Sequence, residues 1–173
     1  MLVVALPALL VALLVRATSP GPALYWSERI GRYNKPFRMP KFRTMRVDTP
    51  VVATHLLPSP ASYLTPIGSF LRRSSLDELP QLWSILVGHM SFVGPRPALS
   101  NQNDLIALRT AVGVERLRPG LTGWAQVNGR DELPIPVKVK YDAEYLARQS
   151  LAMDGRILLM TLWRVARGAN VSH

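Results

Sequence analysis

The chain of 173 residues contains no cysteine and carries 21 Lys and Arg against 11 Asp and Glu, so its formal net charge is +10. The length fits one domain of ordinary size, and a hydrophobic content of 48% excludes disorder over most of the chain. The lack of cysteine excludes a disulfide framework, a thiolate nucleophile and a cysteine zinc site. The positive charge predicts an anionic partner, namely nucleic acid, anionic lipid or a phosphorylated substrate.

An unbroken apolar run opens the sequence from Leu2 to Val15. As an α-helix it would be about 21 Å long, which is short of the ~30 Å hydrocarbon core of a bilayer. Three alternatives follow: a signal-peptide core, a buried helix, or a segment that enters the bilayer and returns on the same side. No basic residue precedes the run, which disfavours a signal peptide. Pro7 lies inside the run and removes one helical hydrogen bond, which favours a bent segment that dips into the membrane.

The next segment is rich in turn formers and then in cations. Residues 19–22 read Ser-Pro-Gly-Pro, and over 28–46 apolar and cationic side chains alternate. The alternation predicts a short β-hairpin with its turn at Gly31 and Asn34. Prolines recur between residues 47 and 66 and predict a loop there.

Three later segments are predicted as helices. The first follows Ser75, which stands three residues before Glu78 in a capping-box pattern, with Pro80 in or just past the first turn. The others cover residues 103–109 and 154–167. The last is basic and contains a tryptophan, which suits a helix in a membrane interface, although core packing explains the same apolar stripe.

Adjacent carboxylates, Asp77 and Glu78, stand at the predicted helix start, where the helix dipole favours their ionised form. Ionised carboxylates can attack phosphorus or hold Mg²⁺, but acidic residues at helix starts are also common stabilisers. Arg72 and Arg73 come just before the pair, and Arg96 follows in a Gly-Pro-Arg-Pro string. Such guanidinium groups can hold a diphosphate together with Mg²⁺, or they can simply face solvent or lipid headgroups.

Two further cations, Lys41 and Arg43, flank Phe42. In a strand this spacing places both cations on one face, where contact with phosphate and an ordinary hairpin surface are equally consistent. His89 stands alone near a helix end, where packing or capping is commoner than catalysis, and we assign it no role.

Six strings occur in an order that is more specific than composition. They are Ser19–Pro22, Lys41–Met45, Ser75–Trp83, Met90–Pro97, Arg118–Arg130 and Lys140–Asp142. From about Pro7 to its end the chain thereby resembles the bacterial sugar transferase family, the monotopic phosphoglycosyl transferases. Several ordered motifs make this resemblance far more specific than a single short pattern.

The resemblance implies an α+β fold, mainly helical and of one domain, with a short β-hairpin and interfacial amphipathic helices. Residues 1–18 would form a Pro-kinked re-entrant membrane helix, shortened at its N-terminus, and residues 19–173 the cytoplasmic sugar transferase domain. The protein would lie at the cytoplasmic face of the bacterial inner membrane, in contact with its lipid. Nucleic acid is not an expected partner, and a homo-oligomer is left open.

The resemblance also implies the reaction: a sugar-1-phosphate passes from a UDP-sugar to undecaprenyl phosphate and UMP is released. This is the first membrane step of polysaccharide or glycoconjugate synthesis. Asp77 would be the nucleophile that forms a covalent aspartyl-phosphosugar intermediate. Glu78 would be its partner in metal or proton handling, and Mg²⁺ would be required, with Asp77 and Glu78 as its ligands.

Other site residues are expected by the same resemblance. Candidates for substrate phosphate are Lys41, Arg43, Arg72, Arg73 and Arg96. Candidates for the nucleotide or sugar are Arg118, Gln126, Asn128, Arg130 and Asp142. Asp142 and Asp154 match family carboxylates whose role, catalytic or structural, is open.

The chain departs from the family pattern at several positions. Members usually have Asn and Asp where this chain has Ser84 and His89, and a Ser where it has Leu6. They also carry a longer helical half before the proline that corresponds to Pro7. These departures motivate an alternative, a catalytically silent membrane-surface scaffold of the same fold, whereas the retained acidic dyad favours an enzyme.

Overall fold

The structure, a computed structural model, describes residues 2–50, 59–129 and 133–166. Helices and strands are mixed along the chain, which confirms the predicted α+β class. The helices are α1 (Leu2–Thr18), α2 (Gly68–Arg73), α3 (Gln81–Leu86), α4 (Asn103–Ala111), α5 (Trp124–Gly129), α6 (Ile135–Arg148) and α7 (Leu151–Ala166). The strands are β1 (Leu24–Ile30), β2 (Pro36–Phe42), β3 (Ser91–Val93), β4 (Ala98–Leu99) and β5 (Gly120–Thr122).

The strands form two small sheets. One has the order β2-β1-β4, and β4 runs antiparallel to β1 with Ala98 opposite Ile30. The other pairs β3 with β5 in parallel, so that Ser91 lies opposite Gly120. Between β1 and β2 the chain makes a 3-10 turn over Arg32–Asn34.

The chain divides into two compact units that are interleaved in sequence. Unit 1 takes the described residues of Met1–Ser27, Pro40–Leu82 and Val165–His173, and unit 2 those of Glu28–Met39 and Trp83–Arg164. The predicted boundary between residues 18 and 19 stays a prediction.

Helix α1 supplies part of the core of unit 1. Val11 and Val15 are buried and cluster with Phe42 and Leu71. The opposite side of the helix is apolar as well, and the leucines on it are more than half exposed: Leu6, Leu9, Leu10, Leu13 and Leu14. Within the described residues, no helix combines the length and the hydropathy that crossing a bilayer requires.

The acidic dyad does not stand at the start of an α-helix, so the capping-box prediction is wrong. Ser75 adopts a left-handed backbone with φ of 56° and its side chain makes no capping hydrogen bond, whereas an N-cap residue needs an extended backbone. Leu76–Glu78 instead form a 3-10 turn. Pro80 lacks an N–H for an α-helical ladder, and α3 begins one residue later, at Gln81.

The other two predicted helices are confirmed as α4 and α7. The predicted loop between residues 47 and 66 contains a 3-10 turn, Pro60–Tyr63, and its residues 51–58 lie outside the described part of the chain.

The core of unit 2 is built around α6 and α7. Tyr145 and Ile157 are almost fully buried and cluster with Val93 and Val127. The Tyr145 hydroxyl donates a hydrogen bond of 2.7 Å to Asp154 Oδ1. Burial, followed by this carboxylate, raises the pKa of Tyr145 well above its ordinary value. Asp154 therefore has a structural contact that explains its presence in α7.

A buried ion pair ties α4 to α6. Arg109 donates to Asp142 Oδ2 from Nε at 2.9 Å and from Nη2 at 2.7 Å, and the Asp142 side chain is only 2% exposed. Burial raises the pKa of Asp142, because the loss of hydration outweighs the attraction of Arg109. Such a pair adds little net stability, but loss of one partner strands the other charge away from water.

We expect Asp142→Asn to lower the free energy of unfolding by about 3 kcal/mol, because it leaves Arg109 as a buried, uncompensated cation. Asp48→Asn is the matched control, since Asp48 pairs with Arg46 where both side chains are more than half exposed. The control should change stability by no more than about 1 kcal/mol. Denaturant unfolding measures both, and equal effects would contradict the assignment of a buried pair.

Candidate active site

The acidic dyad is held in a tight turn of unit 1. The Glu78 amide donates to the Ser75 carbonyl at 3.2 Å, and the Leu79 amide donates to the Leu76 carbonyl at 3.3 Å. Asp77 is 7% exposed, and Glu78 is half-buried. The turn thus withdraws one carboxylate almost completely from water.

Lys41, the penultimate residue of β2, reaches the dyad. Its Nζ donates to Glu78 Oε1 at 2.8 Å, and the two side chains are 17% and 22% exposed. Because the pair is largely sheltered from solvent, its attraction is screened less than that of a surface pair. The predicted phosphate-binding lysine is therefore joined to the predicted partner of the nucleophile.

Arg72 brings a second cation to the dyad from the last turn of α2. Its Nε donates to Thr44 Oγ1 at 3.0 Å. Burial lowers the pKa of Arg72, while the negative charge of Asp77 acts in the opposite direction. An arginine stays protonated under such a shift, so Asp77 lies in the field of a fixed positive charge.

A glycine makes this approach of α2 possible. A Cβ at Gly68 would collide with the Thr44 carbonyl. That carbonyl also accepts the Thr65 amide at 2.9 Å. The first residue of α2 must therefore be glycine for Arg72, one turn later, to meet Thr44.

Asp77 and Glu78 fit a Mg²⁺ site only if substrate phosphates supply further ligands. Mg²⁺ is usually held by one or two carboxylates together with substrate phosphates, and Asp77 and Glu78 offer that number. Lys41 already engages one oxygen of Glu78. Across residues 2–50, 59–129 and 133–166 no group of three or more His, Asp and Glu side chains gathers that could hold a metal unaided.

Arg43 and Arg73 are placed differently from the cations at the dyad. Arg43 is 5% exposed, and it donates from Nε to the Pro22 carbonyl at 2.8 Å and from Nη2 to the Ser19 carbonyl at 3.0 Å. This favours a structural role, the anchoring of the Ser-Pro-Gly-Pro turn, over the predicted phosphate contact. Arg73 lies exposed at the end of α2.

In unit 2 the parallel pairing of β3 and β5 joins two of the sequence motifs. The Gly94 amide donates to the Thr122 carbonyl, and the Gly120 amide donates to the Pro95 carbonyl, both at 2.9 Å. A Cβ at Gly94 or at Gly120 would collide with the backbone of the opposite motif. Glycines at these positions thus allow Gly-Pro-Arg-Pro and Pro-Gly-Leu-Thr-Gly to lie side by side.

The remaining residues of unit 2 that were predicted to contact substrate differ in burial and in hydrogen-bond partners. Arg96 is half-buried, and its carbonyl accepts Arg109 Nη1 at 2.8 Å. Arg118 is exposed, Asn128 donates to the Trp124 carbonyl at 2.8 Å, and Arg130 lies outside the described residues. For Asp142 the buried pair with Arg109 favours a structural role over the predicted contact with nucleotide or sugar.

Four side chains in the described part of the chain have buried polar atoms with no hydrogen-bond partner, and one of them is Glu115, through Oε2. Neither amide atom of Gln126 has a hydrogen-bond partner there, nor have Gln81 Nε2 and Ser84 Oγ. Gln81 and Ser84 are 3% and 1% exposed. Sequence reasoning missed Gln81; its position four residues after Asp77, inside the motif that carries the dyad, is the signal that could have found it.

Comparison with known proteins supports the family that the sequence motifs indicate. The model of the family described as bacterial sugar transferase matches residues 1–168, and the chain belongs to this family. A UDP-glucose:undecaprenyl-phosphate glucose-1-phosphate transferase of Xanthomonas campestris pv. campestris is 42% identical over 165 residues, which is 91% of this chain and 34% of that protein. The chain therefore spans about a third of that relative's length.

Two relatives of more similar length support the same family. An uncharacterized sugar transferase of Bacillus subtilis, EpsL, is 39% identical over 87% of this chain and 73% of its own length. The exopolysaccharide production protein ExoY of Sinorhizobium fredii is 37% identical over 89% of this chain and 74% of its own length.

The sheltered pair at the dyad is open to a double-mutant cycle. We expect Lys41→Met and Glu78→Gln to show a coupling of about 1 kcal/mol in the free energy of unfolding, since the pair is only partly screened by solvent. The same cycle on the exposed pair of Arg46 and Asp48 should give at most about 0.5 kcal/mol. A coupling at the dyad no larger than that of the exposed pair would contradict a sheltered interaction.

Proposed function

We propose that the chain transfers a sugar-1-phosphate from a UDP-sugar to undecaprenyl phosphate and releases UMP. The observation that carries the proposal is the nearly buried Asp77 carboxylate in the electrostatic field of Arg72, adjacent in sequence to a Glu78 that is paired with Lys41. A carboxylate that lies among cations is suited to attack a diphosphate, whose own charge repels nucleophiles. Relatives named for this transfer supply the reaction class.

The first half-reaction uses the carboxylate of Asp77. One of its oxygens forms a bond to the phosphorus that bears the sugar, and the bond from that phosphorus to the bridging oxygen breaks. UMP leaves with the electron pair, and the sugar phosphate stays on Asp77 as an acyl phosphate. Arg72 contributes a positive charge that acts on the nucleophile, and Lys41 orients Glu78.

The second half-reaction restores the enzyme. A phosphate oxygen of undecaprenyl phosphate attacks the same phosphorus, and the acyl-phosphate bond breaks with its electrons returning to Asp77. The product is an undecaprenyl diphosphate that carries the sugar. When bound, Mg²⁺ would be held by Asp77 and Glu78 with substrate phosphates and would neutralise charge on the phosphate oxygens.

The membrane is the expected setting, because undecaprenyl phosphate is a lipid. We propose that α1 enters the bilayer with its exposed leucines and returns on the same side, aided by Pro7, which lies within the helix. We also propose that α7 lies in the interface at the cytoplasmic face of the bacterial inner membrane. Its apolar residues Leu159 and Leu162 are 69% and 66% exposed.

The donor sugar is best approached with UDP-glucose, for which the Xanthomonas relative is named. The assay is release of UMP by the full chain in detergent or nanodiscs, with undecaprenyl phosphate and Mg²⁺, against a panel of UDP-sugars. Release that needs both the lipid and a particular UDP-sugar supports the proposal. No release with any donor would favour the silent scaffold.

Asp77→Asn should reduce UMP release by roughly 10⁴-fold or more, the scale seen when a member of a catalytic unit is removed. The amide has the size of the carboxylate but no nucleophilic anion, and circular dichroism checks that the variant is folded. Asp48→Asn, in an exposed ion pair, is the matched control and should retain wild-type rates. Turnover by Asp77→Asn at the wild-type rate would refute the nucleophile.

Removal of Mg²⁺ by a chelator should abolish UMP release, and excess Mg²⁺ should restore it, because two carboxylates need a divalent cation to approach a diphosphate. The melting temperature should not change, since the metal is expected to bind together with substrate and not to support the fold. Undiminished release in excess chelator would remove the metal from the proposal.

A further inference from the structure

A cavity of about 300 Å³ lies in unit 2 where α6 ends and α7 begins. Its volume is at the lower end of the range for small-molecule sites. The chemistry of its wall is uneven, with two guanidinium groups, an indole, a hydroxyl and apolar carbon. The lining residues are Trp124, Arg148, Ser150, Ala152, Met153 and Arg156.

The positive charge of the wall is only partly compensated. Glu144 accepts Arg148 Nη1 at 2.6 Å on one oxygen and Trp124 Nε1 at 3.0 Å on the other, so both of its oxygens are engaged. The Arg156 guanidinium lies 5.4 Å from the centroid of the Trp124 ring. In the part of the chain that the structure describes, Arg156 has no carboxylate partner. The cavity thus carries an excess cation and suits an anion.

The surface beside the cavity is apolar. Leu151, which stands between two lining residues in the sequence, is 91% exposed. Leu158, Leu159 and Leu162 follow at spacings of seven, eight and eleven residues, which places them on the same side of α7. Their exposed fractions are 39%, 69% and 66%. A ligand that fills the cavity and this surface together must have an anionic head and an apolar tail.

We propose that the cavity binds the phosphate of an anionic phospholipid, with the acyl chains along the exposed leucines of α7. The proposal rests on the interfacial position of α7 suggested above and names the group that fixes it. A nucleotide is a poorer fit, because the Trp124 ring is already engaged by Arg156 and, edge to face at 6.4 Å, by Tyr141. A base that stacked on Trp124 would therefore compete with Arg156 for the ring face over which this guanidinium lies.

The test is native mass spectrometry of the full chain in non-ionic detergent, titrated with phosphatidylglycerol or with zwitterionic phosphatidylcholine. We expect tighter binding of phosphatidylglycerol. Arg156→Gln should weaken it about fivefold, the effect of one cation near an anionic lipid surface, and Arg148→Gln should act in the same direction. Arg116→Gln is the matched control, since it removes the same charge from a side chain that is 71% exposed and lies outside the cavity.

Two further experiments distinguish an effect of charge from an effect of packing, and binding of lipid from binding of free phosphate. Arg156→Lys keeps the charge and should retain the preference for phosphatidylglycerol. UDP and inorganic phosphate are added as competitors; if either displaces the lipid, and its own binding is weakened by Arg156→Gln, the cavity belongs to a soluble phosphate ligand and the proposal is overturned. Should Arg156→Gln fail to fold by circular dichroism, Arg148→Gln decides, because its side chain is 62% exposed.

Equal affinity for the two lipids, or wild-type affinity in both glutamine variants, also overturns the proposal. UMP release is measured on the same preparations. In the wild-type chain, absence of a lipid preference with intact UMP release overturns the lipid site and leaves the reaction standing. Absent UMP release with an intact lipid preference refutes the reaction and leaves the lipid site standing.

Discussion

Carboxylates that are almost withdrawn from water can stay ionised only where cations accompany them, and this constraint governs both units of the protein. At the dyad, Arg72 acts on Asp77 and Lys41 binds Glu78. In unit 2, Arg109 pairs in the same way with Asp142, a carboxylate that has no part in the proposed chemistry. The arginine-rich composition is therefore partly an internal requirement and not only a surface adapted to anionic partners.

Close backbone approach is the second constraint on the site. Gly68 lets α2 approach the carbonyl of Thr44, and glycines of two motifs let β3 and β5 pair with their loops in contact. A side chain at any of these positions would push apart the segments that carry Arg72 in one unit and Arg96 in the other. The glycines in the motifs thus have a geometric purpose, although none of them has a group that can react.

Two helices present apolar residues on more than one side. Helix α1 buries Val11 and Val15 and exposes leucines, and α7 buries Ile157 while it exposes Leu159. An apolar helix side that is exposed over several residues is unusual in a protein surrounded only by water. Combined with a net charge of +10, these exposed sides are the physical basis for the proposed position at an anionic lipid surface and for the proposed headgroup cavity.

The sequence by itself determined the family, the mixed fold class and the helices α4 and α7, and it predicted the dyad and the cations expected around it. These depend on short-range patterns, which a sequence displays directly. The capping-box prediction was wrong although Ser75 and Glu78 are the residue types that the motif requires. Ser75 takes a left-handed backbone, and Pro80 follows too soon for an α-helix that begins at the dyad. The residue types of a short segment do not specify which backbone conformation the surrounding chain imposes on it.

Only the tertiary structure decided which cation meets which partner. Lys41 and Glu78 are 37 residues apart and Arg109 and Asp142 are 33 apart, so no local pattern pairs them. Arg43 stands two residues after Lys41 and turns to backbone carbonyls. A cation in a sequence looks the same whether it will face a ligand, a carboxylate or a carbonyl, because that choice depends on which segments the fold brings within hydrogen-bonding distance.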